Sequence, residues 1–209
     1  MKLRDFIKNG AIWVPSLFAI GRARGQAFTF RDPAFVRKAA EASVGPCTTQ
    51  QVNLTGNDAN QSLGDSSANV YCATKWTASA NYTACSVWLQ LRNYTGSAPT
   101  NNIRAGIWSD SGDNPSALLG GWTSYYSADI ANSPTWTDLG SLSSDVSIAN
   151  GTVYWLVVQS SSVSTPGFRI WYYANTGNST RGFLTDADGS GTWSLVNATA
   201  QGSFRLYSR

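Results

Sequence analysis

Residues 46–209 alternate between apolar and polar side chains with a period of two, and clusters of Gly, Asn, Ser and Asp interrupt this pattern every eight to fifteen residues. Val87, Leu89 and Leu91, for example, are separated by single residues of a different character. Such alternation is typical of β-strands that bury one face. The pattern predicts strands near residues 50–54, 69–77, 84–92, 102–109, 117–123, 135–139, 152–159, 168–173, 181–185, 192–195 and 202–207.

One segment, residues 150–159, departs from the alternation. It opens with an Asn-Gly turn signal, and residues 153–158 are all β-branched, aromatic or aliphatic. A short continuous apolar run of this kind favours a strand that is buried on both faces. We therefore expect this strand at the centre of the fold, with Tyr154, Leu156 and Val158, or the alternate set Val153, Trp155 and Val157, in the core.

The strands follow one another without intervening helical patterns. Parallel strands need long crossover connections, usually helices, whereas antiparallel strands are joined by short turns. The sequence therefore predicts an all-β, antiparallel sandwich over residues 46–209, which form a single domain.

Residues 1–45 have a different character and are predicted to form an N-terminal arm. Asp32 is a good helix N-cap and Pro33 suits the first helical turn, which predicts a short α-helix at about residues 33–43. The start of the arm also resembles a secretory signal, but Pro15 interrupts its apolar run and Arg22 follows it. An uncleaved arm is the preferred interpretation. Its apolar run is too short to span a membrane.

The charges are divided unevenly between the arm and the domain. Residues 1–45 carry eight basic and three acidic groups, a net charge of +5, and residues 46–209 carry seven basic and nine acidic groups, a net charge of −2. The domain therefore gives no electrostatic reason to expect nucleic-acid binding. The arm combines apolar and basic residues suited to docking on an acidic protein surface. Its expected docking residues are Trp13, Phe18, Arg22, Arg24, Phe28, Phe30, Arg31 and Phe35.

The chain has no histidine and a single glutamate, Glu41. It therefore lacks the most common general base, the most common metal ligand and most pairs of catalytic carboxylates. We expect no enzymatic activity and no tightly bound transition metal.

The oxygen ligands for a calcium ion are available in one loop. Asp186, Asp188 and Ser190 stand at the first, third and fifth positions of an EF-hand-like pattern, with Gly191 at the sixth. The twelfth position is Asn197, where such loops carry a glutamate. Calcium is thus a candidate cofactor, and an ordinary turn is the preferred alternative.

Three cysteines, Cys47, Cys72 and Cys85, are too few and too dispersed for a zinc cluster. Cys72 and Cys85 fall on consecutive predicted strands, where a disulfide across a hairpin is one interpretation. Three buried thiols are the other, and the preferred one.

Nine tryptophans are many for a chain of this size. Trp76 and Trp155 lie in apolar runs and are predicted in the core. The predicted exposed aromatic residues, which a glycan or a neighbouring subunit would cover, are Trp88, Trp108, Trp171 and Tyr173.

Several short motifs occur in a recognisable order. They are Lys-Trp-Thr at 75–77, Val-Trp-Leu-Gln-Leu at 87–91, Ile-Trp-Ser-Asp-Ser-Gly-Asp-Asn-Pro at 107–115, Asn-Gly-Thr-Val-Tyr-Trp-Leu-Val-Val at 150–158 and Gly-Thr-Trp at 191–193. In this order they resemble the choice-of-anchor type jelly-roll modules of bacterial surface proteins and phage virion proteins, over about residues 48–209. Residues 28–35 of the arm are similar to leading segments of some phage structural proteins. The resemblance implies a jelly-roll topology and no active site.

Two functions are expected from these observations. The first is a virion structural protein of a bacteriophage, either a capsid decoration, a fibre or a tail-associated subunit, whose arm docks on other virion subunits or on copies of itself. The alternative is a secreted or cell-surface module for carbohydrate binding or adhesion, with an N-terminal signal peptide. A hydrolase that uses Asp, Ser and Tyr is a weaker third hypothesis.

Overall fold

A computed structural model describes residues 45–94, 101–126, 128, 130–163, 169–174 and 182–209. The arm preceding residue 45, with its predicted helix at about 33–43, lies outside the described residues. Within them, the regular elements are one 3₁₀ turn, Ser67–Asn69, and thirteen strands. The strands are β1 Thr49–Leu54, β2 Ala59–Leu63, β3 Tyr71–Thr77, β4 Tyr82–Asn93, β5 Ile103–Asp110, β6 Pro115–Trp122, β7 Thr135–Ile148, β8 Val153–Ser160, β9 Arg169–Ala174, β10 Phe183–Asp186, β11 Ser194–Asn197, β12 Gln201–Gly202 and β13 Phe204–Ser208.

The strands form two sheets in which every pairing is antiparallel. The seven-stranded sheet has the order β1-β13-β4-β9-β12, with β7 paired to β4 and β2 paired to β9. The six-stranded sheet has the order β11-β10-β3-β8-β5-β6. This arrangement confirms the predicted all-β, antiparallel architecture.

The main hydrophobic core lies between the two sheets. Strand β4 of one sheet contributes Val87, Leu89 and Leu91, and residues at alternate positions of β5 and β8 in the other sheet complete it. Aromatic rings also meet across the gap: the centroids of Trp76 and Phe204 are 5.3 Å apart. The two sheets therefore pack face to face, as in a β-sandwich.

Strand β8 is buried on both faces, as its composition predicts. Leu156 and its alternate neighbours Tyr154 and Val158 face the core between the sheets. Trp155 and Val157 point the other way and belong to a second, smaller apolar cluster on the outer side of the six-stranded sheet. Because both sets are buried, no residue between 154 and 158 can be polar without a cost in stability.

Two elements differ from the sequence prediction. The strand expected at 135–139 extends to Ile148 in β7, and its pairing with β4 contains two register shifts. Strand β2 has the sequence Ala-Asn-Gln-Ser-Leu, which lacks the composition of a strand, and was not expected. It forms because its backbone pairs along the whole of its length with β9, from Ala59 to Leu63. Tertiary pairing overrides weak propensity here.

We expect Leu156→Ala to lower the free energy of unfolding by about 2–5 kcal/mol, because it removes a fully buried side chain and leaves a cavity between the sheets. Leu195→Ala is the matched control, since Leu195 on β11 is exposed, and its effect should stay within about 0.5 kcal/mol. Urea unfolding followed by tryptophan fluorescence measures both. Equal effects of the two substitutions would contradict the central position of β8.

Candidate functional site

The outer side of the six-stranded sheet carries an unusual set of aromatic and polar side chains. We call it the aromatic face, and it consists of Tyr71, Arg104, Trp108, Trp122, Tyr125 and Gln159. Residues of this set pack on the smaller apolar cluster, which includes Ala73 and Val157 on neighbouring strands. A sheet face turned away from the main core is normally polar, so this apolar surface requires an explanation.

A row of hydrogen bonds crosses three strands of this face. Arg104 on β5 and Tyr71 on β3 both pair in register with Gln159 on β8. The Arg104 Nε–H donates to Gln159 Oε1 at 2.6 Å, and Gln159 Nε2 donates to the Tyr71 hydroxyl at 2.7 Å. The Gln159 amide is thus held in one orientation from both sides. Burial raises the pKa of Tyr71, although the nearby Arg104 charge acts in the opposite direction.

Two aromatic rings hold the guanidinium group of Arg104. Its Cζ lies 4.6 Å from the ring centroid of Trp122 and 4.7 Å from that of Tyr125. Trp122 in turn contacts Trp108 edge to face, with a centroid distance of 5.9 Å. Gly106 makes room for this packing, since a Cβ atom there would lie 3.0 Å from Cε3 of Trp122. Cation–π contacts of this kind fix an arginine without removing its charge.

The end of β5 and the loop that follows it are attached to the same face by side-chain contacts. Trp155 Nε1 donates to Asp110 Oδ1 at 2.7 Å, and Lys75 forms an ion pair with Asp113. The Lys75 ammonium group also lies 5.7 Å from the Trp155 ring centroid. The carboxylates of Asp110 and Asp113 therefore bind groups of their own sheet. The carboxylate of Asp113 neutralises the charge of Lys75 next to the Trp155 ring.

The predicted exposed aromatic residues have different positions in the structure. Trp108 is half-buried on the aromatic face. Trp88 is half-buried on the seven-stranded sheet, where the centroid of its ring lies 5.7 Å from that of Tyr207. The prediction was wrong for Trp171 and Tyr173, which are 0% and 8% exposed. Both lie on β9, where they face the core between the sheets.

The reason for this error is that every residue of β9 is buried, so the alternation along its sequence does not show which side chains face outward. Trp171 contacts Phe183 of the opposite sheet at a centroid distance of 5.0 Å, and its Nε1 donates to the Ser203 carbonyl at 2.9 Å. Tyr173 packs on the same phenylalanine at 5.4 Å. A buried tryptophan with its N–H satisfied is a stable core residue.

The candidate calcium loop is closed by its own hydrogen bonds. Asp186 Oδ1 accepts from the backbone N–H groups of Asp188 and Gly189, and Asp186 Oδ2 accepts from that of Gly191. The hydroxyl and backbone N–H of Ser190 bind Asp188 and lower its pKa. Within the described part of the chain, no group of three or more His, Cys, Asp or Glu residues is arranged to hold a metal ion. Calcium at Asp186, Asp188 and Ser190 stays a prediction.

The predicted disulfide between Cys72 and Cys85 was wrong, and the prediction of three buried thiols holds for Cys72 alone. Cys47 and Cys85 form a disulfide, with their Cα atoms 5.9 Å apart, and Cys72 is the free, buried cysteine. Cys72 and Cys85 follow each other along the sequence, but β3 and β4 lie in different sheets, so the two strands do not form a hairpin. Burial raises the pKa of the Cys72 thiol far above its ordinary value.

The disulfide belongs to a set of contacts where the domain begins. We call this set the junction, and it consists of Gly45, Cys47, Cys85, Asp145 and Arg209. The Arg209 guanidinium donates to the Gly45 carbonyl and forms an ion pair with Asp145 at 2.7 Å. The first residues of the domain are thereby fastened to β4, to β7 and to the end of the chain.

No protein-family model matches the chain, and no curated protein matches it. Among the described residues there is no helix that is both long enough and apolar enough to cross a membrane.

Sequence reasoning missed most of the aromatic face. Arg104 was visible as the residue out of phase with its apolar neighbours on β5, and such a position points away from the core. Tyr71, Trp122 and Gln159 carried no comparable signal. Their association depends on the order β3-β8-β5-β6, which only the sheet topology provides.

Cysteine chemistry gives a direct test of the junction. We expect Cys47→Ser to lower the free energy of unfolding by about 2–4 kcal/mol, because the disulfide closes a long loop. In the unreduced, denatured wild-type protein, iodoacetamide should label Cys72 alone, and the native protein should resist labelling because this thiol is buried. Peptide mapping by mass spectrometry checks both results. A peptide linking Cys72 to Cys85 would contradict this pairing.

Proposed function

We propose that this chain is a non-enzymatic structural subunit of a bacteriophage virion, namely a jelly-roll sandwich that docks through residues 1–45 on other virion subunits or on copies of itself. The jelly-roll topology is supported by the path of the chain, which changes sheet at every connection from β3 to β10 except that between β5 and β6. Repeated crossing between two packed antiparallel sheets is a feature of that topology.

The observation that carries the docking proposal is the junction. Strand β1 lies at an edge of its sheet, and edge strands are the easiest to detach. A force on the arm would detach β1 from β13 if the hydrogen bonds between these two strands were the only attachment of β1. The Cys47–Cys85 disulfide passes this force to β4, in the interior of the sheet. An attachment of this strength suits a segment that tethers the domain to a larger particle.

The disulfide also supports an exposed position on the particle. Disulfides persist in oxidising surroundings and are rare in proteins that stay in the cytosol. The low content of charged residues, 13%, agrees with a surface that depends on hydroxyl and amide groups for its solubility. A subunit on the outside of a virion meets both conditions after release from its host.

Deletion of residues 1–45 tests the proposal. We expect the remaining chain to fold with a nearly unchanged thermal midpoint, because the junction disulfide and the sandwich core stay complete and the Gly45 contact that is lost with Arg209 is an exposed hydrogen bond. The variant should lose its incorporation into particles or oligomers. Sedimentation of purified assemblies measures incorporation. The double substitution Arg22→Gln and Arg24→Gln should weaken docking without changing the fold. Normal assembly by the deletion variant would refute the docking function.

A second candidate is a secreted or cell-surface carbohydrate-binding module, and the aromatic face favours it. Flat, partly exposed rings stack on the apolar faces of sugars, and fixed polar groups beside them bind hydroxyls. Tyr125 is 42% exposed, next to the held guanidinium of Arg104. This candidate is compatible with a virion position, since an outer subunit that binds a host glycan performs both tasks.

The carbohydrate candidate is tested by Tyr125→Ala in the full chain. We expect this variant to lose at least about tenfold in affinity for whichever surface polysaccharide the wild-type protein retains in affinity electrophoresis, because it removes a stacking ring. Tyr94→Ala is the matched control, with a tyrosine that is similarly exposed at 40% and directly follows β4 of the seven-stranded sheet. Equal retention of the wild type and both variants would exclude the aromatic face as the binding site.

A further inference from the structure

We infer that Arg104 is a carboxylate-binding residue and that the aromatic face takes an acidic saccharide, one that carries a uronic or sialic acid. The inference rests on the carbohydrate candidate described above and names the substrate class of that same site. It depends on the way in which the guanidinium of Arg104 is held and on the charges around it.

The contacts of Arg104 leave the outer edge of its guanidinium group for a ligand. Its Nε–H is used by Gln159, and the Trp122 and Tyr125 rings contact the planar group. Of the ion pairs within the described residues, Lys75–Asp113 and Arg209–Asp145, neither includes Arg104. The two terminal nitrogens of such an arginine match the two oxygens of a carboxylate.

The same contacts prepare Arg104 for binding before a ligand arrives. An arginine on a surface normally loses rotamer freedom when it binds, and that loss weakens the complex. Here Gln159 is itself fixed by the Tyr71 hydroxyl, so the side chain of Arg104 is already restricted. The two hydrogen bonds of this row are partly buried, and bonds of this kind each contribute little to the net free energy of folding. Its geometry is better explained by recognition.

The balance of charge on the face favours a carboxylate over a phosphate. The face and its surroundings contain two cationic side chains, Arg104 and Lys75, among the described residues, and Asp113 neutralises the second. Asp186 and Asp188 lie near Tyr71, at the other end of the row. Asp110 adds a further carboxylate, so the carboxylates around the face outnumber its cations, and Arg104 is the cation that forms no ion pair among the described residues. A monoanion meets less repulsion there than a phosphate group with close to two negative charges, and its two oxygens match the terminal nitrogens of Arg104. The ring of a sugar acid would then lie against the exposed Tyr125.

The seven-stranded sheet provides a natural comparison. Arg205 lies 3.9 Å from the Trp136 ring centroid, and its Nε donates to Asn53 Oδ1 at 2.9 Å. Arg205 has the same charge as Arg104 and the same types of contact. It contacts a single aromatic ring, however, and the Asn53 amide that accepts its hydrogen bond is not part of a row of hydrogen bonds like that behind Arg104. Arg205→Gln therefore removes an equivalent charge from the molecule and leaves the aromatic face intact.

The test is titration calorimetry on the full chain with tetragalacturonic acid, tetrasialic acid and, as the neutral counterpart of the first, galactotetraose. We expect wild-type protein to bind at least one of the acidic oligosaccharides and to bind galactotetraose at least about tenfold more weakly. Arg104→Gln should remove this preference, a loss of about tenfold or more. Arg104→Lys should recover only part of it, because lysine keeps the charge without the planar fork. Arg205→Gln should bind as the wild type does.

Several results would overturn the inference. They are no binding of either acidic oligosaccharide, an equal loss in Arg104→Gln and Arg205→Gln, and displacement of the acidic sugar by inorganic phosphate more effectively than by galacturonic acid. Neutral and acidic sugars bound equally through Tyr125 would refute the acidic specificity alone and leave the carbohydrate candidate standing. Thermal midpoints of all variants confirm the fold, and Arg104→Lys keeps the test decisive if Arg104→Gln is unstable.

Discussion

The burial of strand β8 on both of its faces is the constraint on which the rest of the structure depends. Leu156 and its alternate neighbours close the core between the sheets, while Trp155 supports a second apolar layer on the outer side. A strand at the middle of a sheet also has its backbone groups paired on both edges, here with β3 and β5. The six-stranded sheet is therefore organised around one segment, residues 154–158, that is buried on both faces.

The second apolar layer has consequences for the surface. Trp155 is covered by the side chains above it, and the loop that begins at Asp110 is attached there through the Trp155 hydrogen bond and the Lys75–Asp113 ion pair. The aromatic face is built on that support. Packing of this kind explains how a protein with few charged residues can hold an arginine and a glutamine in single orientations on an outer surface.

The junction and the aromatic face are two features of the domain that lie on different sheets. The first is a disulfide near β1, an edge strand of the seven-stranded sheet, and the second is the proposed recognition surface on the six-stranded sheet. A tethered subunit needs both an attachment that resists force and a surface that remains available. The proposed functions of assembly and of carbohydrate binding thus use different sheets, and a substitution in one need not disturb the other.

The sequence by itself determined the strands and the fold class, because period-two alternation and turn residues are local properties of the chain. Each predicted strand has a counterpart, and the two-sided burial of residues 154–158 followed from composition alone. The partners of these strands were decided only by the tertiary structure. Cys72 and Cys85 lie on consecutive strands in different sheets, and Trp171 faces the core from β9, a strand on which every residue is buried. Arg104, Gln159 and Tyr71 come together from distant parts of the chain for the same reason: which strands become neighbours depends on the packing of the whole domain.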